Sequence, residues 1–203
     1  MGDAGHMEAR IGPNAILQTI AVLDQHAGRA VRDQVMDLAG VAVPPPSAGM
    51  LPEADCAAVH RALRVALPER ADGLLRLSGL ATGDYILRHR IPAVVQQVLR
   101  RLPAPLAARI LARAVTRHAW TFAGSGAFRV AGWRPLRFEL RHNPLIRGEV
   151  AAQPMCHWHV AVFERLFQRL VWPEVQVTET ECAAMGAGAC VFTLRPRSAE
   201  NVR

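Results

Sequence analysis

Leu136-Arg137-Phe138-Glu139-Leu140-Arg141 alternates apolar and charged side chains without a break, the period-two pattern of a strand that buries one face. Val175-Gln176-Val177-Thr178-Glu179 repeats the alternation, and Val191 to Leu194 follows after a connection rich in alanine and glycine. Upstream, Gly124, Gly126 and Gly132 frame a run with Phe122, Phe128 and Val130 that suits a strand pair or a bulged strand. Between these pairs, Pro154 to Leu170 sets Val160, Phe163, Leu166, Phe167 and Leu170 on one helical face. The C-terminal half therefore reads strand, strand, helix, strand, strand. Its hairpin-length connections favour antiparallel pairing, because parallel strands need longer crossovers.

The N-terminal half reads as helices. Pro13 and Asn14 open a segment with Ile16, Leu17, Ile20, Val22 and Leu23 at helical spacing, punctuated by Gly28. A helix from Arg29 to Leu38 ends at Gly40. The connector from Val43 to Gly49 contains Pro44, Pro45 and Pro46, so it is no helix interior. Helical patterns resume over Pro52–Leu67, Pro68–Arg88, Pro92–Leu102 and Pro105–His118, each proline standing where a first turn tolerates it. Helices followed by an antiparallel ββαββ unit make an α+β fold in one integrated domain. The expected division is a flexible tail over 1–10, a helical region over 11–117, an α+β module over 118–196 and a second tail over 197–203.

Of 203 residues, 51% are hydrophobic and 20% charged, which excludes a disordered or collagen-like chain. The most apolar window, Leu102 to Val115, is interrupted by Pro103, Pro105, Arg109 and Arg113, so no spanning segment is expected. Met1 to Arg10 lacks the apolar core of a secretory signal, and the expected location is cytoplasmic. The net charge is +7, and all 24 basic residues are arginine. No aromatic residues are interleaved with the arginines as a nucleic-acid groove requires, and no nucleic-acid partner is expected. Arg109, Arg113 and Arg117 recur every four residues, a solvated helix face or at most a peripheral contact with a membrane or acidic subunit.

Four cysteines stand at 56, 156, 182 and 190. Cys182 and Cys190 flank Ala183 to Ala189, whose Gly186 and Gly188 permit a tight reversal, so the two thiols face each other across a hairpin mouth. Glu179 lies three residues before Cys182. Cys156 falls in the first turn of the helix expected to pack on this sheet, where the helix dipole favours a thiolate. Three thiolates and a carboxylate form a closed four-coordinate set that suits Zn²⁺ better than Mg²⁺ or Ca²⁺. Two other readings stay open: cysteines that merely fill a core, and His157 or His159 as competing ligands, with His159 on roughly the Cys156 face. Cys56 reads as a buried thiol.

Glu179, Cys182, Gly186 and Cys190, spaced Glu-x2-Cys-x3-Gly-x3-Cys and followed by Val191-Phe192, resemble the signature of the 4-vinyl reductase domain family. That family includes sensor domains of phenol-responsive activators that hold a structural zinc. The resemblance implies Zn²⁺ on Cys156, Glu179, Cys182 and Cys190. Gly12-Pro13-Asn14-Ala15-Ile16 and Thr82-Gly83-Asp84-Tyr85-Ile86-Leu87, followed by Arg90-Ile91-Pro92, are similar to the bacteriochlorophyll-biosynthesis branch, of the divinyl protochlorophyllide 8-vinyl (in older numbering, 4-vinyl) reductase type. The similarity runs from about Ile11 to Pro196, and relatives of this kind pair as homodimers.

Two functions follow from that resemblance. In the first, the chain binds a tetrapyrrole intermediate, a Mg-porphyrin or protochlorophyllide, and presents it to enzymes such as the magnesium chelatase or the methyltransferase after it. In the second, it reduces the 8-vinyl group itself. A hydride donor site is not evident: Gly124-Ser125-Gly126 is followed by Ala127-Phe128-Arg129 and lacks the third glycine of a dinucleotide fingerprint, and Gly186-Ala187-Gly188 fails likewise. The cysteines show no iron–sulfur spacing. A transcriptional sensor is set aside, since nothing reads as a helix-turn-helix or ATPase segment. For a tetrapyrrole, the candidate walls are Trp120, Phe122, Trp133 and Phe138; His118, His142 or His159 approach its metal; and Arg88, Arg90, Arg137 and Arg141 are its carboxylate partners. Each also has an ordinary reading as core aromatic, surface histidine or solvated arginine.

Overall fold

The computed structural model describes residues 8–197, so most of the two expected tails, 1–7 and 198–203, lies outside the described residues. In chain order the elements are β1 (Arg10–Ile11), α1 (Asn14–His26), α2 (Arg29–Ala39), β2 (Leu51–Pro52), α3 (Glu53–Ala66), α4 (Ala71–His89), α5 (Ala93–Arg101), α6 (Ala104–Arg117), α7 (Trp120–Ala123), β3 (Ala127–Trp133), β4 (Leu136–Arg141), α8 (His157–Leu170), β5 (Val175–Glu181) and β6 (Cys190–Pro196). The mixed helix and antiparallel sheet architecture is the one expected. β1 pairs with β2, so Arg10, assigned by sequence to a flexible tail, stands in a strand. Two residues per strand leave no periodicity to read.

The main sheet has the order β3-β4-β6-β5, with every pair antiparallel. Its register puts Leu136 opposite Leu194, Phe138 opposite Phe192 and Leu140 opposite Cys190. All six of these side chains are buried, which is the alternation read from β4 carried into space. The register shifts between Val130 and Gly132 in β3 and between Glu179 and Glu181 in β5. The bulge in β5 ends regular pairing one residue before Cys182.

α8 lies on the buried face of the sheet through Phe163, Leu166, Phe167 and Leu170, and α4 packs against it from the helical side. The α4–α8 approach is very close: a Cβ built on Gly79 falls 2.3 Å from the Trp158 carbonyl oxygen, and one on Gly83 falls 2.6 Å from the Arg165 Cβ. Only hydrogen fits at these two positions. α1 packs on α4 through the Thr19 and Ser78 hydroxyls, 2.7 Å apart and buried. Glu53, at the start of α3, accepts hydrogen bonds from the Ser125 N–H at 2.8 Å and from Arg147 at 2.9 Å, tying the helical half to the segments beside the sheet. One hydrophobic core runs through both halves.

Three boundaries differ from the sequence reading. Phe122, expected near a strand, lies in the one-turn helix α7, which continues the turn at the end of α6 until Gly124 at φ 53° reverses the chain. α4 begins at Ala71, because Pro68 starts a turn closed by the Arg70 N–H on Leu67 O. α8 begins at His157, with Cys156 as its N-cap.

Candidate metal centre and aromatic interior

Cys156, Glu179, Cys182 and Cys190 converge. Their ligand atoms, three Sγ and one carboxylate oxygen, all lie within 4.8 Å of one another, and all four residues are buried. Three elements supply them. α8 is capped by Cys156, β5 places Glu179 on its core-facing side opposite Phe192, and β6 opens with Cys190. Between the strands, a 3₁₀ turn over Ala183–Met185 ends at Gly186 with φ 89°, so the chain reverses and brings Cys182 back toward Cys190. Only Gly186 of the two loop glycines adopts positive φ.

The Cys156 and Cys190 sulfurs are 3.5 Å apart. A tetrahedral ion with metal–sulfur bonds of about 2.3 Å sets its sulfurs about 3.8 Å apart, so this spacing suits a shared metal. The Cys156 N–H donates to Glu179 Oε2 at 2.8 Å, whereas Glu179 Oε1 is buried without a hydrogen-bond partner. That unpaired oxygen is the one available to an ion. Asn143, which the sequence reading did not single out, donates from Nδ2 to Cys156 Sγ at 3.2 Å and to Cys190 Sγ at 3.7 Å, while its Oδ1 accepts from the Leu145 N–H. Its only sequence signal is the Asn143-Pro144 pair, which reads as a turn start.

Four acids packed this closely cannot all ionise in a dry site without a cation. Burial, then the neighbouring thiols, push the Cys156 thiol well above its ordinary range, against the expectation that the helix terminus would lower it. Burial lifts the Glu179 carboxyl to about 7. The Cys182 thiol is pulled down to about 5, first by its hydrogen bond with Cys156. Cys56 stands apart from the cluster in α3, buried and raised to about 12 by desolvation. His157 points away and pairs with Asp72 at 3.2 Å.

His159 turns into the interior instead. It is 1% exposed, its Nε2 has no hydrogen-bond partner, and burial drives its imidazole down to about 3, so it is neutral. Around it stand Trp158, Phe122 and Phe192, with ring centroids at 5.0, 6.1 and 5.9 Å. The Trp158 Nε1 is likewise buried and unpaired. Phe163 joins Phe122, Phe128, Phe138 and Phe192 into one aromatic cluster between α8 and the sheet.

Over 190 residues the chain is 63% identical to the bacteriochlorophyll synthase 23 kDa chain of Rhodobacter capsulatus, covering 94% of this chain and 89% of that one. The corresponding chain of Cereibacter sphaeroides is 57% identical over 188 residues, covering 93% and 91%. The chain belongs to this family. Within it, residues 136–196 match the 4-vinyl reductase domain, a span that runs from β4 to β6 and contains all four converging residues. The fold is also that of an Fe(II) unliganded H-NOX protein from K. algicida, with a TM-score of 0.60, 9% identity and coverage of 95% of this chain and 100% of that one. The phenol-responsive sensory domain of PoxR, solved with phenol, gives 0.52 at 15% identity, covering 83% and 90%.

In this member of the 23 kDa chain family, the six residues singled out for a tetrapyrrole are dispersed. Phe122 and Phe138 share the aromatic cluster. His118 is exposed at the end of α6, its Nδ1 2.8 Å from Ala114 O. Trp120 and Trp133 are exposed, and Arg109 lies over the Trp133 ring at 5.7 Å. His142 stands at φ 52° in the turn after β4, exposed. The four arginines divide: Arg88 and Arg90 line a cavity of about 440 Å³ at the α4–α5 junction, and Arg137 and Arg141 line one of about 420 Å³ on the outer face of the sheet. None of the six lines either cavity.

Proposed function

We propose that this chain binds a tetrapyrrole intermediate of bacteriochlorophyll synthesis, a Mg-porphyrin or protochlorophyllide, and presents it to pathway enzymes, with the magnesium chelatase and the following methyltransferase as candidate recipients. The relatives named bacteriochlorophyll synthase 23 kDa chain support the pathway. The observation that carries the binding reading is His159: a neutral imidazole with an unpaired Nε2, walled by aromatic rings, is the group a magnesium-bearing macrocycle would meet. Fold neighbours include a sensor domain solved with phenol and an H-NOX structure solved to probe heme distortion, so related architectures accept flat aromatic ligands. In the present structure Phe122, Phe138, Phe163 and Phe192 fill the interior, and admitting a macrocycle requires the helical layer to part from the sheet.

Cys156, Glu179, Cys182 and Cys190 would hold Zn²⁺. Four protein ligands leave no open position, so the ion would fix the ends of α8, β5 and β6 relative to one another rather than act on substrate.

The test is a titration of purified, metal-analysed protein with Mg-protoporphyrin and with divinyl protochlorophyllide, with and without NADPH, followed by absorbance and product chromatography. A shifted Soret band without conversion, weakened in His159→Gln, is the expected result. Conversion to the 8-ethyl product by the chain alone would establish the reductase reading in its place. Absence of binding would overturn both.

A further inference from the structure

Asp84 and Glu139 bound a run of fifty-four residues, Tyr85 to Phe138, that contains ten arginines and no acid. All 17 acids of the chain lie outside it, so the whole positive excess of the protein resides in this quarter of the sequence. Among the described residues only Arg129 of the ten stands in a salt bridge, with Glu139. Folding turns this run into a surface. α5 buries Leu99 and leaves Val94 71% and Val98 51% exposed, with Val95 also outside. On α6, Ala107, Ala108, Leu111, Ala112 and Val115 face inward, so Leu106 and Ile110 share the outward face with Arg109 and Arg113. Arg109 over Trp133 continues that face onto the β3–β4 hairpin, and Trp120 is 58% exposed just beyond α6. At the start of α5, Arg88, Arg90, Arg100 and Arg169 line the 440 Å³ cavity, whose one carboxylate, Asp84, is engaged by Arg165 at 3.3 Å.

We propose that α5, α6 and the adjoining Trp120 and Trp133 form a docking surface for an anionic lipid bilayer, with the arginine-lined cavity at the α4–α5 junction receiving a phospholipid headgroup. The chemistry is that of an interfacial anchor: short apolar side chains enter the headgroup boundary, arginines contact phosphates, and tryptophans sit where apolar and polar phases meet. Two alternatives fit less well. A symmetric pair of copies joined through this face would set unpaired arginines against arginines. An acidic protein partner would answer the charge, but α5 and α6 offer protruding valines and an isoleucine rather than a groove for a fixed partner to fill. This inference does not depend on what the interior binds.

Flotation of the full chain with large unilamellar vesicles tests it. Vesicles of 30% phosphatidylglycerol in phosphatidylcholine are expected to carry the protein, and pure phosphatidylcholine vesicles are not, with binding lost in high salt. Val94→Asp with Val98→Asp should lower the partition coefficient at least tenfold at unchanged melting temperature, since both side chains are exposed. Arg109→Gln with Arg113→Gln should lower it by about fivefold per arginine. Fluorescence from Trp120 and Trp133, read as the difference between wild type and Trp120→Phe with Trp133→Phe, should shift to the blue on binding. Equal binding to both vesicle types, no binding to either, or insensitivity to both sets of substitutions would overturn the proposal. So would self-association, or capture of an acidic protein, that depends on these residues in the absence of vesicle binding.

Discussion

The Asn143 amide donates to the Cys156 sulfur across 3.2 Å, linking the turn after β4 to the cap of α8 at the one point where four acidic side chains meet. Its carbonyl simultaneously accepts from the Leu145 N–H, so the side chain is fixed from both ends. A donor held against a sulfur stabilises the thiolate and orients it for a metal. Asn143→Ala should lower zinc affinity by about 10- to 100-fold and cost about 1–3 kcal/mol of stability through the lost cap and donor. Asn143→Asp keeps the acceptor but sets a further negative charge beside the sulfurs, and should lower metal affinity more than alanine does. Competition with a chromophoric chelator and thermal unfolding read the two effects separately.

Zinc itself is tested by the ligands. Purified protein is expected to contain one zinc per chain, and Cys182→Ser or Cys190→Ser to lose it together with a large drop in melting temperature, because metal binding here is folding free energy. Cys56→Ala is the matched control: that thiol is buried in α3, apart from the cluster, and its loss should leave zinc content unchanged. EDTA should lower the melting temperature of the wild type and leave Cys190→Ser where it was. Full zinc content in either serine variant would remove the assignment.

The sheet was legible because β4 and β5 alternate strictly, and their register in space repeats the alternation: Phe138, Leu140, Val177 and Glu179 inward, Arg137, Arg141, Gln176 and Thr178 outward. The spacing around Cys182 and Cys190 was legible for a related reason, since a hairpin turn fixes where its two ends must lie. Asn143 was not, because its role depends on contacts with sulfurs 13 and 47 residues away. The dispersal of His118, Trp120, Trp133 and His142 was equally invisible, because exposure at a helix end or hairpin tip leaves no mark on aromatic spacing. β1 and β2 were too short to carry a period.

Glycine in α4 has opposite meanings at two positions. At Gly79 any Cβ meets the Trp158 carbonyl oxygen at 2.3 Å and the Ala161 Cβ at 2.7 Å, both parts of a rigid helix. Gly79→Ala must push α4 away from α8 and should destabilise by roughly 1–3 kcal/mol, the usual cost of overpacking. Gly73 lies in the same helix, and a methyl group added there meets nothing within 4 Å. Gly73→Ala should therefore stabilise by about 0.5–1 kcal/mol through helix propensity and a less free unfolded chain. Urea unfolding of the pair checks the sign of each, and a shared sign would mean that the α4–α8 contact is looser than these distances require.

Acid sensitivity should trace in part to His60. Its Nε2 lies 3.0 Å from Ala15 O, which fixes that nitrogen as the donor, and the ring is 2% exposed. Burial drives its pKa down to about 4, with the Arg64 charge acting in the same direction and the Ala15 bond opposing. The folded chain thus holds a neutral imidazole where the unfolded chain, with an ordinary value near 6.5, takes up a proton. Between pH 6.5 and 4 the unfolded state binds more protons, so stability falls as pH falls, by up to about 1.4 kcal/mol per pH unit for this one group. Above pH 6.5 the group contributes no slope. His60→Phe removes the titration, and Ala15 O keeps a partner in the Thr19 hydroxyl at 2.8 Å. The variant should therefore show a shallower loss of stability than the wild type from pH 6.5 to 5, measured by urea unfolding at a series of pH values. Parallel curves would assign the acid sensitivity to His159 and the cysteine cluster instead.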